Sequence, residues 1–187
     1  MFRTALIFAA SIALIGCSHF DSTRHSDIQP GQTFVLQMPV EITAGNTRRF
    51  IQHGELTTRS AFDRRSQHCR LEVRELSEQT QTIQPDRFAV TRVRYDSETI
   101  AHSSPVMLAN LSIGIGFSFG TQLGKNDGPP EIMELVEFRL DSDTQPEVMR
   151  LVCASALSDG HPIDYPANKR PNAKQIKLIL GEIGYFE

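Results

Sequence analysis

Between Thr33 and Ile42 the apolar residues Phe34, Leu36, Met38, Val40 and Ile42 fall at every second position. A period of two puts all five on one face of an extended chain, whereas a helix would scatter them around its circumference. The stretch predicts a strand with one buried face, and that face needs a core to lie against. Pro39 has no backbone N–H to offer a ladder, so the strand is expected either to sit at an edge or to break in two there. Ala44-Gly45-Asn46 supplies turn chemistry, and Thr47 to His53 returns as a second strand before Gly54. These two segments are expected to form a hairpin.

Cys69 to Leu76, Phe88 to Tyr95, Ile132 to Leu140 and Glu147 to Ala154 are four more segments of strand length, separated by polar or Pro- and Asp-bearing turns. No long helical periodicity interrupts them, which argues against a doubly wound α/β sheet. Near the end the period changes: Ala173, Ile176, Leu180 and Ile183 fall on helical spacing, with Asn172 and Gln175 as a cap and Gly181 as a stop. The expected fold is mainly β, an antiparallel β-sandwich or barrel with a short C-terminal α-helix. It forms a single domain over residues 32–187.

The chain is 40% apolar and 22% charged, so it has the means to bury a core. Its 19 basic and 22 acidic residues give a net charge of −3, and no global positive field invites nucleic acid. Arginines do crowd the first half: Arg48, Arg49, Arg59, Arg64, Arg65, Arg70 and Arg74. A solvated strand face paired with Glu72, Glu75 and Glu78 accounts for them, and the rival reading is an anionic partner such as lipid headgroups or peptidoglycan.

Leu111 to Gly120 is unusual, because Leu111, Ile113, Ile115, Phe117 and Phe119 share one strand face and only Ser or Gly occupies the other. Such a strand either lets a second backbone pack against its bare side or offers Ile113, Ile115, Phe117 and Phe119 to a membrane or partner. Within it, Gly116-Phe117-Ser118-Phe119-Gly120 matches the nucleophile elbow of α/β-hydrolases, with Asp159 and His161 following in the right order. An elbow joins a strand to a helix, whereas here Gly124, Gly128, Pro129 and Pro130 follow. Gly120 to Asn126 fails as a P-loop, being one residue short between its glycines and carrying Asn126 where magnesium needs a hydroxyl. The six histidines, His19, His25, His53, His68, His102 and His161, show no metal-ligand spacing. No cofactor or metal is expected.

The N-terminus carries the most specific signal. Arg3 precedes an eleven-residue apolar run, Ala5 to Ile15, too short for a bilayer core that takes about 20 helical residues. Leu14-Ile15-Gly16-Cys17 follows. This stretch resembles the lipobox of bacterial lipoproteins, and the whole resembles an outer-membrane lipoprotein of a Gram-negative bacterium. The resemblance implies a signal peptide over 1–16, cleavage before Cys17, and attachment of lipid to the Cys17 thiol. Each buried CH₂ contributes about 0.8 kcal/mol, so two or three acyl chains anchor a protein without spanning the membrane. Ser18, being non-acidic, implies sorting to the outer membrane, facing the periplasm. Residues 17–31, polar and closed by Pro30-Gly31, read as a tether without fixed structure.

If Cys17 carries lipid, Cys69 and Cys153 are left as a candidate disulfide in an oxidising compartment. Alternation supports the pairing: Cys69 shares a face with Leu71 and Val73, and Cys153 with Met149 and Leu151. Two free buried thiols are the alternative. The functional expectation is a membrane-anchored, non-catalytic binding or structural module whose partner is an envelope protein or peptidoglycan. The other reading is a periplasmic hydrolase of envelope polymers or esters using Ser118 and His161.

Overall fold

The computed structural model describes residues 27–100 and 130–187. The alternating stretch forms two strands, β1 (Thr33–Leu36) and β2 (Val40–Ile42), with the break falling at Pro39. Then follow β3 (Arg48–Gln52), β4 (Glu55–Thr57), β5 (His68–Val73), β6 (Gln81–Ile83) and β7 (Asp86–Ile100). Beyond residue 129 come β8 (Glu131–Asp141), β9 (Val148–Ala154), α1 (Ala173–Leu180) and β10 (Gly184–Phe186). Eight strands make one antiparallel sheet in the order β10-β1-β7-β8-β9-β5-β3-β4, and β2 pairs with β6 in a separate ribbon.

The expected hairpin between Thr33–Ile42 and Thr47–His53 does not form. After Pro39 the chain swings out of the large sheet, and Val40, Glu41 and Ile42 pair with Ile83, Thr82 and Gln81. His53 and Gly54 both take positive φ, 55° and 78°, which closes a two-residue turn and folds β4 back on β3 instead.

Helix α1 sits where its sequence predicts. Asn172 caps it by accepting from the Gln175 N–H while the Gln175 side chain accepts from the Asn172 N–H, and Gly181 ends it. Ile176, Ile179 and Leu180 are buried. The helix packs against β10 at one edge of the sheet and against β3 beside the other edge. A flat sheet of eight strands cannot offer both edges to one short helix, so the sheet curls around it. Its concave side holds Phe34, Leu36, Ile51, Leu71, Phe138 and Leu151, and Val40, Ile42 and Ile83 of the small ribbon join the same core.

The tether reading fails at its described end. Ile28 is only 3% exposed and belongs to the core, and the Gly31 N–H donates to the Val90 carbonyl. One aliphatic residue inside a polar stretch is enough to fix that end to the domain.

Candidate functional site

The longest hairpin, β7 with β8, is where the architecture departs from a simple curled sheet. Its ladder runs from Ala89 opposite Asp141 to Ile100 opposite Glu131. Strand β9 pairs with Leu135 to Arg139 of β8, and beyond it, among the described residues, only the Ser155 N–H on the Glu134 carbonyl and a two-bond bridge between Ile132 and Ser158 flank the distal half of the hairpin, which forms an arm. Residues 101–129 connect the two strands at its end.

The arm is held by arginines from elsewhere in the chain. Arg70 of β5 donates to Glu98 of β7 at 2.7 Å. From the segment before α1, Arg170 donates through Nε to the Leu135 carbonyl at 2.7 Å, and its backbone N–H donates to Glu134 at 3.1 Å. The same guanidinium lies 4.8 Å from the centre of the Tyr95 ring, a cation–π contact. Arg65 pairs with Glu131 at 3.0 Å, at the last rung before the connection. Met133 and Leu135 of the arm join Val152, Ala154 and Leu157 in a second apolar cluster on the convex face.

This covering explains why all six residues of β5 are buried. The polar side of that strand was expected to be solvated. Instead Arg70 and Glu72 are 7% and 3% exposed. Glu72 accepts from Arg70 Nε and from Arg150 Nε, both at 2.7 Å, and Arg150 also donates to Glu137 at 2.7 Å. Burial alone would raise the Glu72 pKa, but hydrogen bonds and charge from Arg150 and Arg70 outweigh it and hold the carboxyl below its ordinary value. The same pairing raises Arg150 against its own desolvation. A buried network of this kind is satisfied only as a unit.

Cys69 and Cys153 stand directly opposite each other on β5 and β9 and form a disulfide, with an S–S distance of 2.06 Å. Both face the main core together with Leu71 and Leu151, as their alternation predicts, but Met149 does not join them, because a register shift at Glu72/Val73 brings Val148 into the core instead. Cys17 and the apolar row Ile113, Ile115, Phe117 and Phe119 lie outside the described residues, as do Ser118 and the loop Gly120 to Asn126.

Asp159 and His161 do not form a catalytic pair in this arrangement. Asp159 accepts from the backbone N–H of His161, while His161 Nδ1 accepts from the backbone N–H of Ile163 and caps a short 3₁₀ turn, Pro162–Asp164. A triad carboxylate needs Nδ1 to carry the proton, and here Nδ1 is the acceptor. His68 is buried against the rings of Phe50 and Phe62. Its Nδ1 lies 3.3 Å from the Ser66 carbonyl. Among the described residues no group of three or more His, Cys, Asp or Glu is placed to hold a metal. No helix among them is long and apolar enough to cross a membrane.

Several cavities among the described residues carry polar groups. A groove of about 520 Å³ runs between α1 and β10, lined by Ile28, Tyr185 and Phe186 with Lys174, Lys177 and Glu182. A smaller cavity of about 170 Å³ opens at the start of β3 and is bordered by Arg48, Arg49 and Arg59. The roles of Arg65 and Arg170 were not legible in advance, since both act on strands far away in sequence. No family model matches the chain, and no curated protein or solved structure matches it either.

Proposed function

We propose that this chain is a lipid-anchored protein of the bacterial outer membrane, facing the periplasm, and that its β domain is a non-catalytic binding module. Leu14-Ile15-Gly16-Cys17 after a short apolar run supports the anchor. A disulfide between the two remaining cysteines fits an oxidising compartment.

The observation that carries the binding role is the pinned arm. Arg65, Arg70 and Arg170 fix its distal half, and so fix Ile100 and Glu131, the two points between which the chain carries Ile113, Ile115, Phe117 and Phe119. Binding segments are commonly carried between rigid ends on a scaffold, which limits the entropy lost on association. The occupant in this reading is an envelope protein or peptidoglycan.

The test is crosslinking in living cells followed by membrane fractionation, with wild type beside Cys17→Ala. A discrete envelope partner captured by the wild type and lost in Cys17→Ala supports the reading. Membrane retention of Cys17→Ala equal to wild type contradicts the anchor, and a capture profile that is the same for both contradicts the tethered module.

A further inference from the structure

The large sheet ends at β10, and among the described residues the outer edge of that strand is open. Thr33 and Glu187 exchange both of their backbone hydrogen bonds. In the antiparallel register that follows, the backbone groups of Tyr185 face β1, while those of Gly184 and Phe186 point away from it. No backbone hydrogen bond among the described residues reaches Gly184 or Phe186 from that side. Gly184 is nevertheless buried, and a buried peptide group without a partner is costly.

The groove between α1 and β10 includes this edge. Successive residues of a strand point to opposite faces, yet Tyr185 and Phe186 both border the groove, together with Ile28 and Leu180. An open row of main-chain donors and acceptors beside an apolar slot is what an extended segment needs in order to add as a further strand.

The occupant is indicated by where the described chain begins. Asp27, the first described residue, itself borders the groove. The residues just before it, Ser18 to Ser26, contain one large apolar side chain, Phe20. The chain from Phe20 to Asp27 reaches up to about 24 Å when extended. The three residues of β10 span about 10 Å, so the segment is long enough to run the length of that edge.

We propose that residues 18–26 dock in this groove as an added strand beside β10, with Phe20 seated in the slot. The docking does not depend on lipid at Cys17. Its consequence rests on the anchored reading above: with lipid at Cys17, the docked segment holds the membrane attachment at the α1 edge and fixes which side of the domain faces the lipid.

The test uses the full-length protein in neutral detergent. Phe20→Cys is combined either with Lys177→Cys, which borders the groove, or with Leu178→Cys, the next residue on α1, which is exposed and does not. Disulfide trapping is expected at least tenfold faster with Lys177→Cys. Amide exchange at Gly184 and Phe186 is expected to be at least tenfold slower in wild type than in Phe20→Ser, and equally slow in Cys17→Ala. Equal trapping rates for the two pairs, or exchange unchanged by Phe20→Ser, would overturn the proposal. Protection lost in Cys17→Ala would assign the groove to an acyl chain, and disulfides formed only between molecules would assign it to a second copy; either result overturns it.

Discussion

Arg70 on β5 and Glu98 on β7 are joined at 2.7 Å although two strands, β8 and β9, lie between theirs in the sheet. Neighbouring strands are spaced by nearly 5 Å, so two side chains three strands apart meet only if one strand leaves the plane and crosses the face of the others. The distal half of the β7–β8 hairpin does this, and Met133 and Leu135 on it pack with Val152 of β9. The ion pair thus marks where a long hairpin turns back on its own sheet.

Glu98→Gln should loosen the arm and little else. Glu98 is 44% exposed and Arg70 keeps Glu72, so global stability should fall by no more than about 1 kcal/mol. Amide exchange should quicken selectively at Tyr95 to Ile100 and at Glu131 to Leu135. Uniform protection across the whole hairpin in the variant would show that the pair does not hold the arm.

His68 should make the fold sensitive to mild acid. Burial is the main cause of its low pKa, about 4 against an ordinary 6.5, and the hydrogen bond with Ser66 offsets only part of it. The Ser66 carbonyl can only accept, so Nδ1 carries the proton of the neutral ring. As pH falls through 6.5 the unfolded chain takes up a proton that the native ring refuses. Stability is therefore full above that value and falls by about 3 kcal/mol between pH 6.5 and 4. His68→Gln keeps a donor for Ser66 and cannot titrate, so denaturant midpoints measured across this window should lose most of that slope. A slope equal to wild type would contradict the assignment.

Removing the disulfide should be costly. It closes a sequence separation of 84 residues, and a loop of that length stabilises by about 4.5 kcal/mol in the chain-entropy account. Cys69→Ala with Cys153→Ala should lower the unfolding free energy by that order, and dithiothreitol should have no further effect on the double variant. Equal stability of the two proteins would show that the bridge contributes nothing.

Gly181 is required by contact as well as by conformation. It has φ of +56°, and a Cβ there would stand 2.7 Å from the Cα of Gly54 in the turn between β3 and β4. Gly181→Ala should cost about 2 kcal/mol or more and push the end of α1 off that turn. Thermal melts give the loss directly, and a wild-type melting temperature would mean that the helix does not clasp the β3–β4 turn.

What could be read in advance follows the range of the interactions involved. Phe34 and Leu36 alternate within β1, Pro39 breaks it, and Asn172 caps α1 through a residue three positions on, so these features were legible from neighbours. The face shared by Cys69 and Leu71 was legible for the same reason, and with it the pairing to Cys153. Strands β4, β6 and β10 have three residues each, too few to show a period. The burial of Arg70 and Glu72 was invisible because their cover comes from Glu98 and Arg150, 28 and 78 positions away. Arg65 and Arg170 escaped for the same reason, each acting on a strand at least 35 residues distant.

In the proposed function, the chain between Ile100 and Glu131 binds an envelope partner through Ile113, Ile115, Phe117 and Phe119. The most direct measurement places a photocrosslinking residue at position 115 of the full-length protein in living cells, with and without Ser at positions 113, 117 and 119. The account predicts one discrete crosslinked envelope partner whose yield falls at least tenfold when the three neighbours are replaced, with the protein still folded and membrane-bound. A partner captured at equal yield in both, or no discrete product from the intact row, would contradict it.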